Sequence, residues 1–166
     1  MTEEGQLALQ YAYGDGAEES CRLTSEKVSD LMYGVNVDSY FSLTLEGLVA
    51  ATDAVGGITL TVPEDYTEVD PAFEKDAVVT LNGELAEKYV RKRDIEVLDS
   101  NNQRMERQSQ FIGALIEKMQ SIDGKSEYLS LYQQLTPYMT TNMTADELEE
   151  LSNYKIEAET IKVPGE

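Results

Sequence analysis

Histidine is absent from this chain, and cysteine occurs once, as Cys21. The lack of histidine removes the usual general base, the usual metal-binding nitrogen and every Ser–His or Cys–His mechanism. A single cysteine excludes an intrachain disulfide and a cysteine-rich zinc site. Cys21 itself reads as a small apolar residue on a helix rather than a nucleophile. Cations are scarce too: 13 Lys and Arg face 32 Asp and Glu, a formal net charge of −19. Such a surface repels nucleic acid and anionic lipid over about a Debye length. Non-specific DNA binding needs an extended basic face, which this chain lacks. No apolar run approaches the ~20 residues needed to span a bilayer. The opening Met1-Thr2-Glu3-Glu4 is acidic where a secretory signal is basic.

What is present suits one compact domain over residues 1–166: 41% hydrophobic residues, 11 Gly and 4 Pro. Helix-like pattern begins at once, so the chain is expected to be an excised piece of a longer protein. The pattern predicts a short helical piece over 6–13, ended by Gly14-Asp15-Gly16, and a helix over 17–32. A strand is clearest over 40–44, where aromatic and β-branched residues gather. A helix over 45–55 stops at Gly56-Gly57, and Ile58 to Val62 alternates as a strand ended by Pro63. Strand, helix, strand at this spacing is a βαβ-like unit, which favours an α/β sandwich. Residues 63–80 read as an acidic surface excursion. It carries Glu64, Asp65, Glu68, Asp70, Glu74 and Asp76 without EF-hand spacing, so a solvated surface is preferred to a calcium site. Helices are predicted over 84–91, 103–122, 126–136 and 144–152, the last with Thr144 and Glu147 as a capping box. A final strand is expected over 160–163.

Five of the 13 basic residues fall within 17 positions: Arg91, Lys92, Arg93, Arg104 and Arg107. Four of the five arginines of the chain are among them. The long helix has an apolar stripe of Met105, Phe111, Ile112, Leu115, Ile116, Met119 and Ile122. At about 3.6 residues per turn, Gln108 falls near the middle of that stripe, Arg104 on the same face and Arg107 at its edge. A buried guanidinium without an anion costs several kcal/mol, so the site must supply one. Two sources stay open. Asp94, Glu96, Asp99 and Glu106 could neutralise the arginines in an internal ion-pair network. Alternatively a phosphate could sit there, aided by free N–H groups at the helix start.

Four segments carry a family resemblance. Leu81-Asn82-Gly83-Glu84-Leu85-Ala86-Glu87-Lys88-Tyr89-Val90-Arg91-Lys92-Arg93 resembles the "LNGEQALAYVRxR" signature of the LytR-CpsA-Psr family. Arg104-Met105-Glu106-Arg107-Gln108-Ser109-Gln110-Phe111 resembles its "RxxRQxxF" helix start. Asp53-Ala54-Val55-Gly56-Gly57-Ile58-Thr59-Leu60-Thr61-Val62-Pro63 resembles its "DALGGVxVxVP" segment. Ala12-Tyr13-Gly14 is similar to the tail of its "NAAYAxGG" segment. The resemblance covers roughly residues 6–120, in the family's order.

The resemblance implies a three-layer α/β/α sandwich with a mixed central sheet. It lies outside the cytoplasmic membrane of a bacterium, on a parent anchored by an N-terminal transmembrane helix that this chain lacks. It implies a phosphotransferase moving teichoic acid or capsule polymers from an undecaprenyl-diphosphate carrier onto peptidoglycan, with Mg²⁺ on the diphosphate. By the same resemblance Arg91, Arg93, Arg104 and Gln108 hold the diphosphate, Arg107 lies beside them, and Arg91, Arg93, Asp99 and Arg104 form the catalytic set. Phosphoryl transfer needs mostly positioning and charge neutralisation, so the lack of histidine is no obstacle. Two departures qualify the carry-over. The family's early segments, with metal-binding aspartates, an "RDT" motif and part of the sheet, have no counterpart before Gln6, so no metal ligand is expected in this chain. Asp99-Ser100-Asn101-Asn102-Gln103-Arg104 is longer than the family's "DxGR" spacing, which leaves the register of Asp99 open. Two other readings compete: a non-catalytic binding module for polyprenyl diphosphate or anionic wall polymer, and a transcription attenuator, which the charge argument disfavours. Asp53 reads as a helix-end residue rather than a metal ligand, and Tyr11, Tyr13 and Tyr89 as core rather than lipid groove.

Overall fold

The structure is a computed structural model and describes residues 7–92, 100–122 and 124–152. The expected strand over 160–163 lies outside them. Local signals place most helices. After a short α1 (Leu7–Gln10) and a 3-10 turn (Tyr11–Tyr13), Gly14 to Gly16 turn the chain into α2 (Ala17–Leu31). Thr44 accepts from the Gly47 N–H at 3.1 Å and starts α3 (Leu45–Ala54). Gly56 and Gly57, at φ 78° and 87°, reverse the chain after it. Asn82 caps α4 (Gly83–Arg91) by accepting from the Leu85 N–H at 2.9 Å. α5 (Ser100–Gln120), α6 (Lys125–Leu135) and α7 (Ala145–Ser152) follow. At α7 the capping box forms: the Glu147 N–H donates to Thr144 Oγ1 at 3.3 Å, and the Thr144 N–H to Glu147 Oε2 at 2.7 Å. Among the described residues no helix is long and apolar enough to cross a membrane.

The α/β class holds, but the strands of the described residues form two antiparallel ladders rather than one mixed sheet. β1 (Phe41–Leu43) pairs with β4 (Met139–Thr141), and β2 (Ile58–Thr61) pairs with β3 (Val78–Leu81). The βαβ-like reading of residues 40–62 is corrected, because β1 and β2 go to different partners. Specific bonds commit β1 to β4: the Tyr40 N–H donates to Asn142 Oδ1 at 2.9 Å, and Thr141 Oγ1 donates to the Tyr40 carbonyl at 2.6 Å. β2 and β3 are joined on their exposed face by the Thr59 and Thr80 hydroxyls, 2.9 Å apart.

The main core is built where β2 and β3 meet α4 and α5. It contains Ile58, Leu60, Val62, Leu81, Ala86, Tyr89, Val90 and Phe111. It also contains Tyr66 and Phe73, which corrects the reading of residues 63–80 as surface throughout. The Phe73 ring meets Tyr89 edge-on at 5.0 Å, so the segment folds its two aromatics under the sheet. Its carboxylates, Asp70 excepted, stay solvent-exposed. A smaller cluster of Ala51, Leu131 and Leu135 joins α3 to α6. Cys21 is buried on α2, as expected, whereas Tyr11 and Tyr13 are exposed rather than packed in the core.

Candidate functional site at the junction of α4 and α5

Gly83 lets α3 and α4 approach closely: a Cβ there would lie 2.5 Å from Val49 Cγ1 and 2.6 Å from the Val49 carbonyl oxygen. Asp53, at the end of α3, accepts the Gly83 N–H at 2.8 Å, which is the helix-end role expected of it. These contacts set the direction of α4, whose last turn carries Lys88 and Arg91, with Lys92 just after it. Arg104 approaches from α5. Together with Glu84 and Glu87 they line an open groove of about 710 Å³, four cations to two carboxylates. In a chain of net charge −19 this is a local inversion of sign. Arg91 is exposed and pairs with Glu87 at 2.8 Å, an i,i+4 contact of small net worth that an incoming anion can displace. Lys88 bridges Asp70 at 3.2 Å and Glu84 at 3.3 Å. The Ala72 N–H, then Lys88, hold the Asp70 carboxyl below the usual carboxylate range. Asp70 and Glu84 in turn hold the Lys88 ammonium above its ordinary value.

Arg107 is placed differently from the expectation. It lies at the centre of the buried face of α5, 2% exposed, one turn before the fully buried Phe111. The apolar stripe is therefore rotated: Met105 and Ile112, read as part of it, are more than half exposed. The phase follows from tertiary packing of α5 on α4 and β2, which spacing alone does not settle. Among the described residues, the Arg107 guanidinium meets the negative, carbonyl end of α4. Its Nε donates to the Tyr89 carbonyl at 2.7 Å and its Nη2 to the Lys92 carbonyl. Gln108 Nε2 donates to the Val90 carbonyl at 2.9 Å. The guanidinium carbon lies 4.7 Å from the Tyr66 ring centroid and 6.0 Å from that of Tyr89. Burial pulls the Arg107 pKa down, opposed by Tyr66 and Tyr89. Burial likewise pushes the Tyr89 hydroxyl up to about 12. That hydroxyl donates to Gln110 Oε1 at 2.6 Å, and Gln110 Nε2 donates to the Thr61 carbonyl at 2.6 Å, tying α4, α5 and β2 together.

The structure thus brings Arg91 and Arg104 to one groove and turns Arg107 and Gln108 toward the backbone of α4. Arg93 and Asp99 lie outside the described residues, as do Asp94 and Glu96. α5 begins at Ser100, so Arg104 sits one turn inside the helix rather than at its start. Lys88 was not singled out by the sequence reading. Its spacing of three and four from Arg91 and Lys92 is the signal that puts it on their face. Among the described residues no group of three or more acidic or cysteine side chains is arranged to hold a metal ion.

A groove lined by four cations on an α/β domain of net charge −19 has the electrostatics of an anion site. The particular family is defined by comparison. The LytR_cpsA_psr family model matches residues 2–165, and the chain belongs to that family. It is 27% identical to biofilm regulatory protein A of Streptococcus mutans, over 95% of this chain and 42% of that protein. It is also 27% identical to the polyisoprenyl-teichoic acid–peptidoglycan teichoic acid transferase TagU of Bacillus cereus, over 95% of this chain and 52% of that protein. Among solved structures, the Lin1025 protein of Listeria innocua superposes with a TM-score of 0.70 at 32% identity, covering 89% of this chain and 56% of that one. TagU of B. subtilis superposes with a TM-score of 0.64 at 26% identity, covering 86% and 58%. The chain spans about half the length of the curated relatives it matches. Relatives named for transfer of teichoic acid to peptidoglycan place the family at the cell envelope.

Proposed function

We propose that this chain is the diphosphate-gripping part of a cell-wall glycopolymer phosphotransferase. In this reading its parent moves teichoic-acid-type or capsule-type polymer from a polyprenyl-diphosphate carrier onto peptidoglycan, outside the cytoplasmic membrane, from an N-terminal membrane anchor. The observation that carries the reading is the groove in which Lys88, Arg91, Lys92 and Arg104 converge on an otherwise strongly acidic protein. A diphosphate there exchanges the weak Arg91–Glu87 contact for charge-assisted bonds to several cations. Arg91 and Arg104 hold the phosphoryl oxygens and neutralise charge on them as the bond to the carrier breaks. Arg93 and Asp99 keep the roles that the resemblance gives them.

Calorimetric titration of geranyl diphosphate into the chain, with Arg91→Ala, Arg93→Ala and Arg104→Ala alongside, tests this. Saturable binding that each substitution weakens supports it. Wild-type affinity in all three variants, or no binding by the folded wild type, removes the groove as the diphosphate site. The titration is run with and without Mg²⁺, an ion that the reading includes and to which the described residues contribute no ligand set.

A second reading fits the same groove. Both carboxylates of the groove are engaged with cations, Glu84 with Lys88 and Glu87 with Arg91. That suits a non-catalytic module for polyprenyl diphosphate or anionic wall polymer as well as an enzyme. Incubation with a lipid-diphosphate-linked saccharide and a peptidoglycan acceptor separates the two. Binding without release of lipid phosphate supports the module.

A further inference from the structure

Three of the four groove cations, Lys88, Arg91 and Lys92, stand at the C-terminal end of α4, and α5 holds that end from behind. Carbonyls at a helix C-terminus have no partner within the helix. Here three of them are taken by two adjacent side chains: Tyr89 and Lys92 by Arg107, and Val90 by Gln108. A guanidinium is planar and presents its donors in a fixed fork. Two of those donors bonded to carbonyls three residues apart hold the path of the chain between them, which includes Arg91. The fork cannot swing away, because it is enclosed, 2% exposed, with the Tyr66 ring 4.7 Å from its carbon.

We propose that Arg107 is a positioning residue: it makes no contact with the diphosphate and instead sets where Arg91 and Lys92 present their charge to the groove. The ligand side of this statement rests on the diphosphate reading above. The clamp itself concerns α4 alone and is judged separately. It also predicts which change matters. Lysine keeps the positive charge but replaces the fork with a single nitrogen, so it cannot hold both carbonyls in the same geometry. Charge without the fork is therefore insufficient.

The test follows the arginine Nε–H resonances of the ¹⁵N-labelled chain, with geranyl diphosphate as probe, in the wild type and in Arg107→Lys. In the wild type the Arg91 and Arg104 signals move with ligand, while the Arg107 signal, bonded to the Tyr89 carbonyl, stays in place. In Arg107→Lys, shown folded by circular dichroism, the ligand-free Arg91 signal shifts and geranyl diphosphate binds about tenfold more weakly. An Arg107 signal that moves as far as that of Arg91 overturns the proposal. So does an Arg107→Lys protein with the wild-type Arg91 signal and affinity. Should that variant not fold, Tyr66→Leu, which removes the ring under the guanidinium, is expected to shift the ligand-free Arg91 signal in the same way. An unmoved signal there counts against the clamp. If the probe moves no arginine signal at all, the diphosphate reading falls, and the ligand-free Arg91 signal of Arg107→Lys decides the clamp by itself.

Discussion

Replacing Tyr89 by Phe is expected to destabilise the protein near neutral pH and to stabilise it, relative to wild type, above about pH 11. The ring is fully buried, and its hydroxyl donates to Gln110 Oε1 at 2.6 Å. Losing that bond and leaving a half-buried acceptor short costs about 1–2 kcal/mol at pH 7. Burial also pushes the Tyr89 pKa up to about 12, from an ordinary value of 10.0. A raised folded pKa means that the stability contribution is complete below the unfolded value and is lost as pH climbs toward the folded one. Between them the unfolded chain has released a proton that the folded chain still holds. The wild type then loses roughly 1 kcal/mol at pH 11 and roughly 2 kcal/mol at pH 12, terms that Tyr89→Phe cannot lose. Other titrating groups are common to both proteins and cancel in the difference. Urea unfolding of the pair at pH 7, 10 and 11 is the assay. A stability difference that stays constant from pH 7 to 11 would refute the argument, because it would mean that the hydroxyl titrates alike in both states.

Two further substitutions probe other parts of the design. Phe73→Ala removes a fully buried ring from the acidic segment and should cost about 3–5 kcal/mol in chemical denaturation, whereas a residue on a solvated excursion would cost under about 0.5 kcal/mol. Gly83→Ala pushes a methyl group to 2.5 Å from Val49 Cγ1 and should cost about 1–3 kcal/mol, read as a lower thermal midpoint; an unchanged midpoint would mean that α3 and α4 part freely.

Legibility in the sequence followed the range of the interactions. Helix boundaries announced themselves where the signal was local: Thr144 with Glu147 at α7, Gly56-Gly57 after α3. The alternation of β2 was legible for the same reason, since Ile58 and Leu60 turn inward while Thr59 and Thr61 face out. β3 and β4 were not singled out: β3 lies at the end of the acidic segment read as a surface excursion, β4 lies between two predicted helices, and a distant partner defines each. Tyr66 and Phe73 were hidden by the carboxylates around them, which stay wet while the two rings turn under the sheet.

The candidate site divides along the same line. Clustering of arginines in an acidic chain, with the "RxR" and "RxxRQ" segments, was enough to mark residues 91–108 as a concentration of positive charge, because charge scarcity is a property of composition. Which arginine faces outward was decided only by the tertiary structure. Arg104 and Arg107 are three residues apart on one helix, and a modest rotation of α5 exchanges a groove-lining side chain for a buried one. Packing of Phe111 against the β2–β3 core sets that rotation. It sends Arg107 to the carbonyl end of α4 and leaves Arg91 and Arg104 at the groove.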